Sequence, residues 1–151
     1  MLFKKGKSVM KRVATYLIMI LVAFILVGCN QNDKYTNLKV DIGESINFSD
    51  EEINKAVDCL KSNFDFEACT LSKIYYDEKK SNNAAKDYLQ FGKGYENKVK
   101  AENVIVLFSD FDVDGSGKNP VLEPNSTYTD YNWVLIRDDK SKNWKIDDCG
   151  Y

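Results

Sequence analysis

Sixteen consecutive residues, Val13 to Gly28, carry no charge, and five cations stand before them: Lys4, Lys5, Lys7, Lys11 and Arg12. No acid lies in residues 1–28, so this segment carries +5. A basic stretch followed by an apolar stretch of this length reads as a secretory signal rather than as part of a fold. Sixteen residues also fall short of the ~20 needed to span a bilayer comfortably as a helix. What remains to fold is the chain from residue 29 onward. Of the 21 basic and 23 acidic residues in the whole chain, 16 and 23 fall there, a net charge of −7. That length allows one domain. Histidine is absent. This excludes Ser-His-Asp and Cys-His nucleophile arrangements and any zinc site built on imidazole.

The uncharged run ends Leu26-Val27-Gly28-Cys29, which resembles the lipobox of bacterial lipoproteins. The resemblance implies a diacylglyceryl group on the Cys29 thiol and cleavage just before it, with Leu26, Val27 and Gly28 read by the signal peptidase. Two acyl chains, at about 0.8 kcal/mol per buried CH₂, hold a protein on a membrane without a spanning helix. The competing reading is an uncleaved anchor helix with an incidental cysteine. The expected organisation is a signal peptide over 1–28, a lipid-anchored flexible tether over 29–46 and a single extracytoplasmic domain over 47–151. A short edge strand near Leu38–Val40 is the one element the tether admits.

The domain opens on a helix. Ser49-Asp50-Glu51-Glu52 fits a capping box, with Phe48 and Ile53 placed as a hydrophobic staple. Ile53, Ala56, Val57, Leu60 and Phe64 recur at the spacing of one buried helical face. Cys69–Tyr76 is rich in β-formers and reads as a strand. Asn83 to about Gln90 reads as a second helix, broken by Gly92 and Gly94, and Tyr95 to Val99 fits a short helix or a loop equally. In Asn103–Phe111, Val104, Val106 and Phe108 alternate with Ile105 and Leu107, so both faces are apolar, as in a central strand. Tyr128–Asp138 and Asn143–Cys149 follow as strands joined by a polar turn. The order predicts an α+β domain, an antiparallel sheet of about four strands packed on the N-terminal helix in two layers.

The stretches FSDEEI, CTLSKIYYDE, SDFDVD, PNSTYT, NWVLIRD and WKIDDCGY are similar to those of small, functionally uncharacterised lipoproteins of Gram-positive bacteria. The resemblance implies a cystatin-like or nuclear-transport-factor-like arrangement of a helix on a curved sheet. It brings no catalytic residues.

Three features point toward chemistry. Asp110, Asp112 and Asp114, followed by Gly115, match the opening of a D-x-D-x-D-G calcium loop, in which alternate carboxylates converge on one hard cation. Val121 stands where a bidentate glutamate belongs, and the loop follows a strand rather than a helix. With Cys29 assigned to lipid, Cys59, Cys69 and Cys149 form an odd set in an oxidising location. A Cys59–Cys69 bridge, a Cys69–Cys149 bridge and three free thiols all remain open. Finally, Tyr131, Trp133 and Trp144 stand out among the many aromatic residues of the strands. They make a candidate binding face, because helices on one side of a sheet leave the other side open.

Nucleic-acid binding is excluded by the charge of −7 and the lack of a basic stripe. The expectation is a non-catalytic lipoprotein on the extracytoplasmic face of the cell membrane. Its partner would be a protein, peptide or small ligand, and no cofactor is expected beyond the calcium option. The alternative is a small carboxylate-dependent hydrolase, calcium-assisted in one version, which needs two acids held across a cleft.

Overall fold

Parallel neighbours in a sheet must be joined by a crossover, and here a helix supplies it. The computed structural model describes Tyr35 and residues 37–151. Strand β1 (Lys39–Ile42) leads into helix α1 (Asp50–Asn63) and returns as strand β2 (Cys69–Tyr76), parallel to β1. Helix α2 (Glu78–Phe91), a single turn α3 (Lys93–Glu96) and a 3₁₀ turn (Ala101–Asn103) follow. The chain then meanders through β3 (Val104–Val113), β4 (Thr127–Ile136) and β5 (Lys145–Gly150). The sheet has five strands in the order β1-β2-β3-β4-β5, antiparallel from β2 onward.

The α+β class therefore holds, with one strand more than the four expected. The added strand is β1, and it moves the domain boundary. Residues 37–46 do not form a free tether: Val40 pairs with Ile74, Tyr35 donates a hydrogen bond to the Lys61 carbonyl, and Leu38 and Ile42 pack on the core. Leu38, Val40 and Ile42 alternate with Lys39 and Asp41, a half-buried strand pattern, although Gly43 ends it after four residues. The expected signal peptide, Cys29 and the first part of the expected tether lie outside the described residues. Among the described residues no helix is long and apolar enough to cross a membrane.

Helix α1 forms as its sequence dictates. The Ser49 amide donates to the Glu52 carboxylate at 2.9 Å and the Glu52 amide donates to Ser49 Oγ at 3.3 Å, closing the capping box. Ile53, Ala56, Val57 and Leu60 are buried against the sheet. Helix α2 starts six residues before its apolar stripe does. Asp77 caps it, accepting from the Lys80 amide at 2.8 Å, and Lys79 and Lys80 of the charged first turn are exposed.

The second departure from expectation is in the layering. Alternate residues of one strand point to opposite faces of a sheet. Ile105, Leu107, Trp133 and Leu135 join α1 in one core, whereas Val104, Val106, Val134 and Ile136 join Tyr88 of α2 in another. The two helices thus cover opposite faces. The two apolar faces of β3 read in the sequence are real, and α2 is what covers the second.

Candidate functional site

A concavity lies along one side of α2. Asn82, Ala85, Lys86, Leu89 and Gln90 fall at successive i, i+3 and i+4 spacings, so they share one side of the helix. Facing them are Asn47 and Phe48 of the loop before α1, and Ala101, Glu102 and Val104 where the 3₁₀ turn meets β3. The groove between them encloses about 560 Å³. Its floor is apolar, built from Phe48, Ala85, Leu89 and Val104, and its rim carries the amides of Asn47, Asn82 and Gln90. Asn47 Nδ2 donates to Asn82 Oδ1 at 3.0 Å, which ties the loop to the helix at one end. The two rim charges, Lys86 and Glu102, are opposite in sign. An apolar floor with a few groups able both to donate and to accept hydrogen bonds suits a neutral, polar-edged ligand.

The wall behind Glu102 is held by an ion pair whose arginine is buried and whose glutamate is partly open. Arg137, 4% exposed, donates from Nη2 to Glu52 Oε1 at 2.8 Å and to the Glu102 carbonyl at 3.2 Å. Its guanidinium lies 4.3 Å from the centre of the Trp144 ring, and Trp144 Nε1 donates to the Glu52 carbonyl at 3.0 Å. The Ser49 backbone amide, together with Arg137, holds the Glu52 carboxyl down from its ordinary 4.5 to about 2, against the opposing effect of burial. This cluster fastens the start of α1 to the β4–β5 hairpin.

A second network occupies the part of the α2-side face that α2 leaves open. Tyr75 donates to the Asp130 carboxylate, and Lys80 Nζ donates to Tyr75 Oη at 2.9 Å and to Asp130 Oδ2 at 3.1 Å. The Tyr75 ring stacks on Phe108 at 5.2 Å, with Lys73 Nζ 4.4 Å from its centre. Burial, then the hydrogen bond to Asp130, raises the Tyr75 phenol, while Tyr75 and Lys80 lower the Asp130 carboxyl. Asp130 adopts φ +56° at a bulge in β4, and its amide donates to Asp110 Oδ1 at 3.0 Å. Bulges re-aim side chains. This one turns Asp130 toward α2 while its neighbours Tyr128 and Tyr131 pack on the other side.

The bulge also engages Asp110 of the calcium motif. Asp110 and Asp112 lie within β3, where extended backbone separates alternate side chains by about 6.5–7 Å along the strand. Asp110 accepts from the Asp130 amide, Asp112 accepts from the Thr127 hydroxyl at 2.6 Å, and Asp114 accepts from the Ser116 amide at 2.8 Å. Among the described residues no three His, Cys, Asp or Glu side chains are arranged to hold a metal ion. These aspartates fasten the β3–β4 connection.

The aromatic set divides. Trp133 and Trp144 are 3% and 6% exposed and lie in the core under α1, so neither presents a binding face. The expectation placed them on an open side of the sheet, but α1 covers that side. Only Tyr131 reaches the surface, where it meets Tyr151 at 5.3 Å. The three thiols stand apart. Cys59 donates to the Trp144 carbonyl at 3.2 Å, Cys69 to the Glu67 carbonyl at 3.4 Å, and Cys149 accepts from Tyr131 Oη at 3.7 Å. No two of them are bridged.

The sequence reading missed the α2 groove, the Tyr75–Lys80–Asp130 network and the buried Arg137. The one local signal for Arg137 was a charge directly after the apolar run Trp133–Ile136.

Residues 31–150 match the family described as a domain of unknown function, DUF4829, and the chain belongs to that family. No curated protein and no solved structure matches it.

Proposed function

We propose that this protein is a lipid-anchored, extracytoplasmic binding module, tethered through a diacylglyceryl group on Cys29 and receiving a neutral ligand in the α2 groove. One observation carries the anchoring. The basic stretch and the uncharged run end at Leu26-Val27-Gly28-Cys29, and the family domain begins at residue 31, two residues later. The thiol thus stands at the start of the domain, where an anchor belongs. From Cys29 to Tyr35 the chain reaches at most about 20 Å at ~3.3–3.6 Å per residue, so the domain would sit against the membrane surface.

A binding role is favoured over hydrolysis by the state of the carboxyls. A carboxylate-dependent hydrolase needs one carboxyl held protonated as general acid, its pKa raised by its surroundings. Here the resolved shifts of Glu51, Glu52, Glu78, Asp114, Asp130 and Asp139 are all downward. These groups are held ionised by hydrogen bonds and cations, which suits fastening and recognition.

Fractionation of cells expressing the full chain tests the anchor. The expected result is membrane-bound protein that incorporates radiolabelled palmitate, with both properties lost in Cys29→Ser. A Cys29→Ser protein that is processed and retained like the parent refutes the reading.

A further inference from the structure

On the far side of the 3₁₀ turn from the α2 groove lies a second concavity, of about 490 Å³. Its lining includes Lys98, Lys100, Asn103, Arg137, Asp138 and Lys145. Counting Asp147, which also lines it, four cations face two carboxylates here, in a domain that is otherwise strongly acidic.

Both carboxylates are already engaged. Asp138 pairs with Lys145 at 3.4 Å, and Asp147 accepts from Tyr88 Oη at 2.7 Å. Arg137 is paired with Glu52. Lys98 and Lys100 have no carboxylate within ion-pairing distance among the described residues, and both are exposed. Lys98 is held in the left-handed region, φ +53°, on a turn where its amide donates to the Tyr95 carbonyl. That turn is packed in place, because Gly94 lies so close to the Tyr88 ring that a Cβ there would come within 2.4 Å of it.

The wall behind the lysines is not saturated with hydrogen bonds. Asn103, 6% exposed, donates from Nδ2 to the Asp138 carbonyl at 3.1 Å, but its Oδ1 has no partner. Arg137 Nε also has none. Buried polar atoms are nearly always satisfied, and exceptions call for an explanation. One missing donor and one missing acceptor sit in adjacent residues, joined by the Arg137 amide donating to the Asn103 carbonyl at 3.0 Å.

From this juxtaposition we infer that the concavity formed by Lys98, Lys100, Lys145, Asn103 and Arg137 is a binding site for a phosphate group. A phosphate monoanion or monoester offers several acceptor oxygens for ammonium and guanidinium donors, and when protonated it also offers an O–H donor. This site is separate from the α2 groove. The phosphate has two possible sources, the headgroup of an anionic lipid and a phosphate free in solution.

Lysine footprinting on the full lipidated chain distinguishes them. In detergent, 10 mM inorganic phosphate is expected to slow acylation of Lys98 and Lys100 at least three-fold relative to chloride of equal ionic strength. Lys86, outside the site, should be unaffected. A free phosphate is the source if that protection appears. A lipid headgroup is the source if protection appears only after reconstitution into phosphatidylglycerol vesicles and not into phosphatidylcholine vesicles. In either case Lys98→Gln should abolish protection of Lys100; both side chains are exposed, so the fold should survive. Equal protection by chloride, protection retained in Lys98→Gln, or no protection in either arm overturns the site. None of these outcomes bears on the anchor, which fractionation reads independently.

Discussion

The two faces of the sheet are made by the same strands, yet they are covered to different extents. Under α1 the core runs the length of the sheet, from Trp144 and Leu135 at one end to Phe111 and Val113 at the other. Phe64, Phe66, Phe111, Tyr131 and Trp133 form a continuous ring network, with Phe111 stacked on Tyr128 at 5.2 Å. Under α2 the apolar cluster reaches only as far as Phe108, and the face continues as Tyr75, Lys73, Asp110 and Asp130. One face is a core. The other is half core and half polar surface, and the groove and the Tyr75–Lys80–Asp130 network lie at the margins of its covering helix. Stability and recognition are therefore expected to separate by face.

The largest effect tests that separation directly. Phe111→Ala should destabilise by about 3–5 kcal/mol, because it empties the middle of a ring network enclosed on every side. Phe108→Ala should cost less, about 2–3 kcal/mol, because Phe108 stacks chiefly on the half-exposed Tyr75 and the site can relax into water. Urea unfolding of both variants measures the difference. Equal losses would mean that the two faces are equally load-sharing.

An intermediate effect concerns the clamp at the end of the α1 face. Glu52→Gln removes the charge paired with Arg137 and should cost about 2–3 kcal/mol, somewhat below the figure for a fully buried pair because Glu52 is partly open. Glu52 has a depressed folded pKa, so its contribution is present above its ordinary 4.5 and lost as pH falls from there toward about 2. Unfolding midpoints between pH 5 and pH 2.5 should fall less steeply for Glu52→Gln than for the parent. An unchanged slope would assign the acid sensitivity to other groups.

The smallest effect belongs to the polar half. Tyr75→Phe removes one hydroxyl from an exposed network and should change stability by less than about 1 kcal/mol. It should also let the Asp130 carboxyl rise toward its ordinary range, since the Tyr75 hydrogen bond is the largest influence holding it down. A carboxyl-carbon NMR titration follows this site alone. A large loss of stability would make the network part of the core and erase the contrast between faces.

Much of this architecture is written locally. The capping box of α1 needs only Ser49 and Glu52 three residues apart, and the alternation in β3 and β4 assigns each side chain to a face whatever the partner strand is. The strong apolar character of both faces of β3 already marked it as central. Nothing local marked Asp77 as the cap of α2, because six polar residues separate it from the first alanine of the stripe.

What the sequence by itself determined is the charge-segregated N-terminal segment ending at Cys29, the α+β class, the start of α1 and the faces of the central strands. These depend on neighbours within a few residues. The tertiary structure decided the rest: that β1 joins the sheet, that α2 covers the face opposite α1, that Asp110 supports a bulge, and that Arg137 lies buried against Glu52. Each of these is settled by a partner 20 or more residues away in the chain, through contacts such as Asp110 with Asp130 and Arg137 with Glu52. Local periodicity says that a side chain will be buried on a given face, and only the packed chain decides against what.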